Sequence, residues 1–194
     1  MNSRLFGVTL LAAVAAGCGE GRAIFNIDVQ SFMVGTGADT LRLPPDPLPG
    51  LPPGGPPRRD SIIPVGVDLP TAMSSSIVED VRLTGSLDVT NPTSSGSLSY
   101  DVFFASVADP AVVYGGAPAL TIGPTSFPAG TTTSVPITSQ NLAAVVGDAF
   151  KGSGLYVGIR AVISNTEPPL GPDLKTTLKL TQLQARIVFQ DKIF

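Results

Sequence analysis

The run from Ile77 to Asn91 sets the tightest limit on what this chain can fold into. Ile77, Val81, Leu83, Leu87 and Val89 occupy odd positions, while Asp80, Arg82, Thr84, Ser86, Asp88 and Thr90 occupy even ones. A period of two is the signature of a strand with one face buried and one face wet. Such a strand needs a second layer over its apolar face. Gly85 interrupts that face and predicts a bulge or bend. Asn91-Pro92-Thr93-Ser94-Ser95-Gly96 supplies a turn.

Further segments repeat the pattern. Residues 24–34 alternate, with Phe25, Ile27, Val29 and Met33 on one side. Residues 61–69 place Ile63, Val65, Val67 and Leu69 together, although Pro64 and Gly66 mark a sheet edge. Leu98, Tyr100, Val102 and Phe104 form another strand, and Thr131–Ile137 and Leu155–Ile163 form two more. Asp109-Pro110 and Gly115-Gly116 bracket Ala111–Tyr114 before a short strand at Ala119–Ile122. The last segment, Leu174–Phe194, switches parity near Thr181-Gln182, which predicts a bulge or a bend between sheets. One helix is expected over about 139–151, capped by Thr138 or Ser139, with an apolar stripe through Leu142, Val145, Val146, Ala149 and Phe150. Lys151 and Gly152 would end it.

Residues 44–57 hold eight prolines and cannot form a central strand, because each proline lacks the N–H a ladder needs. A polyproline-II or irregular loop is expected there, a surface connection or a docking segment helped by Arg58-Arg59. With eight or nine strands, the expected fold is mainly β: an antiparallel Ig-like β-sandwich with one short helix and a proline-rich loop. A small closed barrel is the alternative architecture.

The amino terminus addresses location. Arg4 supplies a positive charge, Leu5–Ala16 an apolar run, and Ala15-Ala16-Gly17 small residues ahead of Cys18, the only cysteine in the chain. That order is a secretory signal, and the run is too short for a comfortable span. Val14-Ala15-Ala16-Gly17-Cys18 resembles the lipobox of bacterial lipoproteins. The resemblance implies removal of residues 1–17 and lipidation of Cys18. Residues 18–23 are then a short tether, and residues 24–194 a single β-sandwich domain with a proline-rich insertion at 44–59. Five residues, Gly19–Ala23, reach at most about 17 Å, which holds the domain close to the lipid. Gly19 follows the cysteine, where the lipoprotein family commonly uses aspartate for inner-membrane retention. In a cell with two membranes the resemblance therefore favours the outer one.

Composition removes several function classes. The chain has no histidine, so Ser-His-Asp and Cys-His machinery and His-containing zinc sites are excluded. The lone thiol is expected to carry lipid, which removes thiol catalysis and disulfides. Losing residues 1–17 leaves 11 basic and 15 acidic residues, a charge of −4 without a basic cluster, and argues against nucleic acid as a partner. No loop has the spacing of a calcium hand, and no cofactor is implied.

Two functions fit what remains. The first is a non-enzymatic, lipid-anchored envelope protein with a binding or structural role, attached to the membrane through Cys18 and free to engage an envelope protein partner. The alternative is a carboxylate-dependent envelope hydrolase drawing on Glu79, Asp80, Asp88 and Asp101. Asn91 reads as a turn residue, and Tyr100 as a core residue with its hydroxyl at the rim.

A second resemblance covers residues 77–163. Leu87-Asp88-Val89-Thr90-Asn91-Pro92, Leu98-Ser99-Tyr100-Asp101-Val102, Phe127-Pro128-Ala129-Gly130 and Tyr156-Val157-Gly158 resemble the late-embryogenesis-abundant, water-stress-and-hypersensitive-response sandwich family. That likeness implies an Ig-like fold, no enzyme activity and a role in stress tolerance or membrane-associated binding.

Overall fold

A computed structural model describes residues 22–69, 77–151 and 154–190. Two antiparallel sheets pack face to face as a β-sandwich. The first contains β1 (Arg22–Asp28), β2 (Thr40–Leu43), β5 (Ile77–Thr90), β8 (Thr133–Thr138) and β10 (Thr176–Gln190). Its order is β1-β10-β5-β8, and β2 pairs with the other half of β10. The second contains β3 (Arg58–Ser61), β4 (Val65–Asp68), β6 (Gly96–Ala105), β7 (Leu120–Phe127) and β9 (Gly154–Asn165). Its order is β3-β9-β6-β7, with β4 also on β9. No strand pairing joins the two sheets among the described residues, so the barrel alternative is set aside.

The alternation does what its period requires. Val81, Leu83, Leu87 and Val89 of β5 face Leu98, Tyr100 and Val102 of β6 and Leu155, Val157 and Ile163 of β9 across one buried cluster. The parity switch in β10 is a bulge: Leu180 pairs with Leu87, Gln182 with Ser86, and Thr181 is left over. Leu178 and Leu180 before it, and Leu183, Ala185 and Ile187 after it, are thereby all buried. Gly85 is the other half of this feature. A Cβ there would collide with the Gln182 carbonyl, so only glycine lets the bulged strand close on its neighbour.

Several local expectations are corrected. Residues 24–34 are not one strand: β1 ends at Asp28 and α1 (Val29–Thr36) follows. Val29 and Met33 lie four apart, a spacing that fits both a strand face and a helix face, and both are buried. The Asp28 carboxylate accepts from Ser31 N, and Gly37 ends the helix at φ 73°. Pro64 splits the expected strand at 61–69 into β3 and β4 and leaves Ile63 outside the core. Ala111–Tyr114 lies within α2 (Pro110–Val113) and its C-terminal cap, with Asp109 accepting from Ala111 N and Pro110 at the first turn.

The helix expected over 139–151 shrinks to α3 (Ala143–Val146) and a separate 3-10 turn at Ala149–Lys151. Neither Thr138 nor Ser139 caps it. The Ser139 hydroxyl accepts from Leu83 N, and the Asn141 side chain accepts from both Val81 N and Ala143 N. Gly152 lies outside the described residues.

The proline-rich stretch is an irregular connection between β2 and β3, as its composition demands. It is pinned halfway: Leu51 and Leu174 exchange two backbone hydrogen bonds, and Asn165 Nδ2 donates to the Leu51 carbonyl at 2.8 Å. Leu51 is buried, so the loop folds back onto the end of the sandwich. Arg58 and Arg59 belong to β3 rather than to the insertion, and Arg58 pairs with Asp60 at 3.2 Å.

Candidate functional site

The residue expected to carry lipid, Cys18, lies outside the described residues. Arg22, four positions on, is the first residue of β1, so the described chain enters the sandwich at the end where Arg22 lies. Arg22 is opposite Gln190 on β10, and Gln190 is opposite Ile77 on β5, so these three form one row at one end of the first sheet. Arg22 Nε reaches Glu79 Oε2 at 3.0 Å. α3 packs beside the start of β5, where the Asn141 amide donates to the Glu79 carbonyl. Phe150, following α3, meets Phe104 with ring centroids 5.5 Å apart, so β6 ends and β9 begins at this same end.

That end carries apolar side chains in water. Ile77 is 43% exposed, Val107 45% and Val145 63%. Sequence periodicity placed Ile77 and Val145 on buried faces. Ile77 leaves its face because a second register shift, between Val188 and Phe189, skips Glu79 and reverses parity at the strand's start. Val145 is turned outward because α3 is too short to bury more than Leu142 and Val146.

The carboxylates of the hydrolase alternative are not brought together. Glu79, Asp80 and Asp88 sit on β5 in the first sheet, and Asp101 sits on β6 in the second. Asp80 and Asp88 are eight residues apart along one strand, about 26 Å. Asp80 is bridged by Arg82 at 3.0 Å and by Arg186 at 3.3 Å on the outer face of the first sheet.

Asp101 belongs to a different cluster, on the outer face of the second sheet. Arg160 of β9 stands directly opposite it and donates from both Nε and Nη2 to Asp101 Oδ2, at 3.3 and 3.0 Å. Thr121 of β7 donates to the other carboxylate oxygen at 2.7 Å. The guanidinium lies 4.5 Å from the Phe103 ring centre. Phe103 is buried under α2, edge-on to Tyr114 at 5.1 Å. The Tyr114 hydroxyl donates to the Ile62 carbonyl at 2.7 Å, and burial pushes its pKa up to about 12 against the smaller lowering effect of the Arg160 charge. Gly158 makes this contact possible, since a Cβ there would lie 2.8 Å from both the Tyr114 hydroxyl and Val113. Both Asp101 oxygens and the Thr121 and Tyr114 hydroxyls are engaged, and the chemistry of the cluster is that of a clamp.

Other concavities lie among the described residues. A polar cleft of about 230 Å³ at the far end is lined by Arg42, Asp46, Asn91, Thr93 and Lys175 among others. Asn91 has a φ of 45° and is the turn residue it was expected to be. A more apolar groove of about 320 Å³ lies between Thr36–Leu41 and Ile62–Gly66. Tyr100 does not place its hydroxyl at the rim. The side chain is fully buried, the hydroxyl has no hydrogen-bond partner among the described residues, and burial pushes its pKa up. Among the described residues, no group of His, Cys, Asp or Glu could hold a metal ion, and no helix is long and apolar enough to cross a membrane.

Arg160, Phe103 and Tyr114 were missed from sequence. The available signal was the out-of-phase Phe103, an aromatic on the polar parity of its strand beside Asp101.

No protein-family model and no curated protein sequence matches the chain. Among solved structures it is similar to chains from infectious bursal disease virus. A Gt-strain structure gives a TM-score of 0.44 at 10% identity over 95% of this chain and 38% of that one. A Gx-strain structure gives 0.43 at 10% identity over 94% and 38%. A crystal structure of the VP2 subviral particle gives 0.33 at 9% identity over 92% and 45%. The chain thus spans less than half the length of each of these viral chains.

Proposed function

We propose that this protein is a lipid-anchored lipoprotein of the cell envelope whose β-sandwich serves a binding or structural role and catalyses no reaction. The observation that carries the reading is the Val14-Ala15-Ala16-Gly17-Cys18 sequence placed only three residues ahead of Arg22, where β1 begins. Acylation at Cys18 would supply roughly 0.8 kcal/mol per buried methylene, and two or three chains hold a protein on a bilayer durably. In a cell with two membranes, Gly19 after the cysteine favours the outer membrane. The separation of Asp80 and Asp88 from Asp101 onto different sheets supports the non-enzymatic reading over a hydrolase.

The test is intact mass and membrane partition of the protein expressed in a bacterium, beside Cys18→Ser. The expected wild type lacks residues 1–17, carries acyl mass and stays with the membrane, while Cys18→Ser moves to the soluble fraction. An unmodified thiol on Cys18 would overturn the proposal.

A further inference from the structure

We infer that the end of the sandwich bearing Ile77, Val107 and Val145 is a membrane-contact surface, seated on the lipid that holds the anchor. The inference rests on the lipid-anchor reading and adds an orientation to it. The occupant is fixed by the length of chain outside the described residues and by where that chain arrives. Only Gly19, Glu20 and Gly21 separate Cys18 from Arg22, so the two Cα atoms lie within about 14 Å of each other. An acylated Cys18 sits at the lipid surface, and the row Arg22–Gln190–Ile77 must sit just above it.

The surface presented there suits shallow contact with lipid. Ile77 and Val145 stand at the edge of one shallow depression whose exposed floor is mostly polar, and Val107 follows the end of β6 on the opposite sheet. All three are large apolar side chains left in water. Arg22 borders this end with its guanidinium paired to Glu79, so its charge is already balanced there. Asp68 and Asp148 lie at this end as well. Attraction to anionic headgroups therefore contributes little, and apolar contact carries the seating. The opposite end carries the proline-rich connection and the exposed Leu170, and it points away from the bilayer.

The test uses the chain's own chemistry. With Cys18 consumed by lipid, an introduced cysteine is a unique labelling position. Ile77→Cys, Val145→Cys and Leu170→Cys are purified as acylated protein and labelled with an environment-sensitive fluorophore. Each is then placed in phosphatidylethanolamine–phosphatidylglycerol vesicles containing a lipid-borne quencher. Labels at positions 77 and 145 are expected to shift to the blue and to be quenched at least about twofold more than the label at 170, as shallow insertion requires. If the protein is acylated and vesicle-bound but all three labels are equally wet, the contact surface is overturned and the anchor stands. Labels at 77 and 145 that are dry yet unquenched would place protein, a second copy or a partner, on this end and overturn it too. Unmodified Cys18 by mass would remove both readings together.

Discussion

Each outer face of the sandwich carries an aspartate bridged by arginine, and the two bridges live under different cover. On the first sheet Asp80, 17% exposed, is met by Arg82 and Arg186, whose side chains are 58% and 46% exposed, so the difference in cover lies in the arginines. On the second sheet Asp101 is met by Arg160, and both side chains are less than one-fifth exposed, at 17% and 18%. The difference is α2. Four helical residues fold back over β6 and β9, bury Phe103 and Val113, and bring Tyr114 against both. A second small core forms outside the main one, and the ion pair at its margin is partly withdrawn from water. Identical charge chemistry thus becomes a fastening on one face and ordinary surface on the other.

The contrast breaks most severely at Phe103. Phe103→Ala empties the space between α2 and the second sheet and removes the ring under Arg160. Buried Phe→Ala substitutions cost about 3–5 kcal/mol, and a site this close to the surface should lose about 3 kcal/mol by partial collapse. For a chain of this size that lowers the melting temperature by roughly 6–12 °C. Thermal unfolding followed by circular dichroism checks it, and a shift under about 2 °C would mean that α2 is no core at all.

Arginine truncation sharpens the same comparison. Arg160→Ala leaves the Asp101 carboxylate with the Thr121 hydroxyl and limited water, and should cost about 2 kcal/mol. Arg186→Ala leaves Asp80 its bond to Arg82, whose own side chain is open to solvent, and should cost under about 0.5 kcal/mol. Urea denaturation of the two variants gives the ratio directly. Equal losses would show that the covering aromatic adds nothing to the pair.

The sequence announced the main core far better than this second one. β5 and β10 were legible because strict alternation binds a residue to a face, and because Gly85 and the parity switch at Thr181-Gln182 describe one bulge from its two sides. α1 was hidden by the even spacing of Val29 and Met33, which a strand and a helix satisfy equally. α2 was hidden by its length, since four residues cannot show a helical period, although Asp109-Pro110 marked its start. Of the candidate site, the Cys18 anchor is a statement of sequence alone. The exposed Ile77 and Val145 required three dimensions: a register shift near Glu79 and the shortness of α3 turn out two residues that periodicity assigns inward.

A smaller effect than either truncation within this cluster carries the most information about cover, because it depends on pH. Tyr114→Phe keeps the ring beside Phe103 and deletes the donor to the Ile62 carbonyl, at a cost of about 1 kcal/mol near neutrality. A free tyrosine ionises near pH 10. Burial holds Tyr114 in its neutral form up to about 12 in the folded protein. The unfolded chain therefore releases this proton first as pH rises. The stability that Tyr114 contributes through its raised pKa is complete below pH 10 and is lost as pH climbs through 12. Tyr114→Phe has no such proton, so its deficit against wild type should shrink between pH 8 and pH 11. Tyr100, also raised by burial, ionises alike in both proteins and cancels in the difference. A deficit that stays constant across this range would mean that the Tyr114 hydroxyl is as wet as the arginines of the first sheet, and the contrast between the two faces would then rest on Phe103 alone.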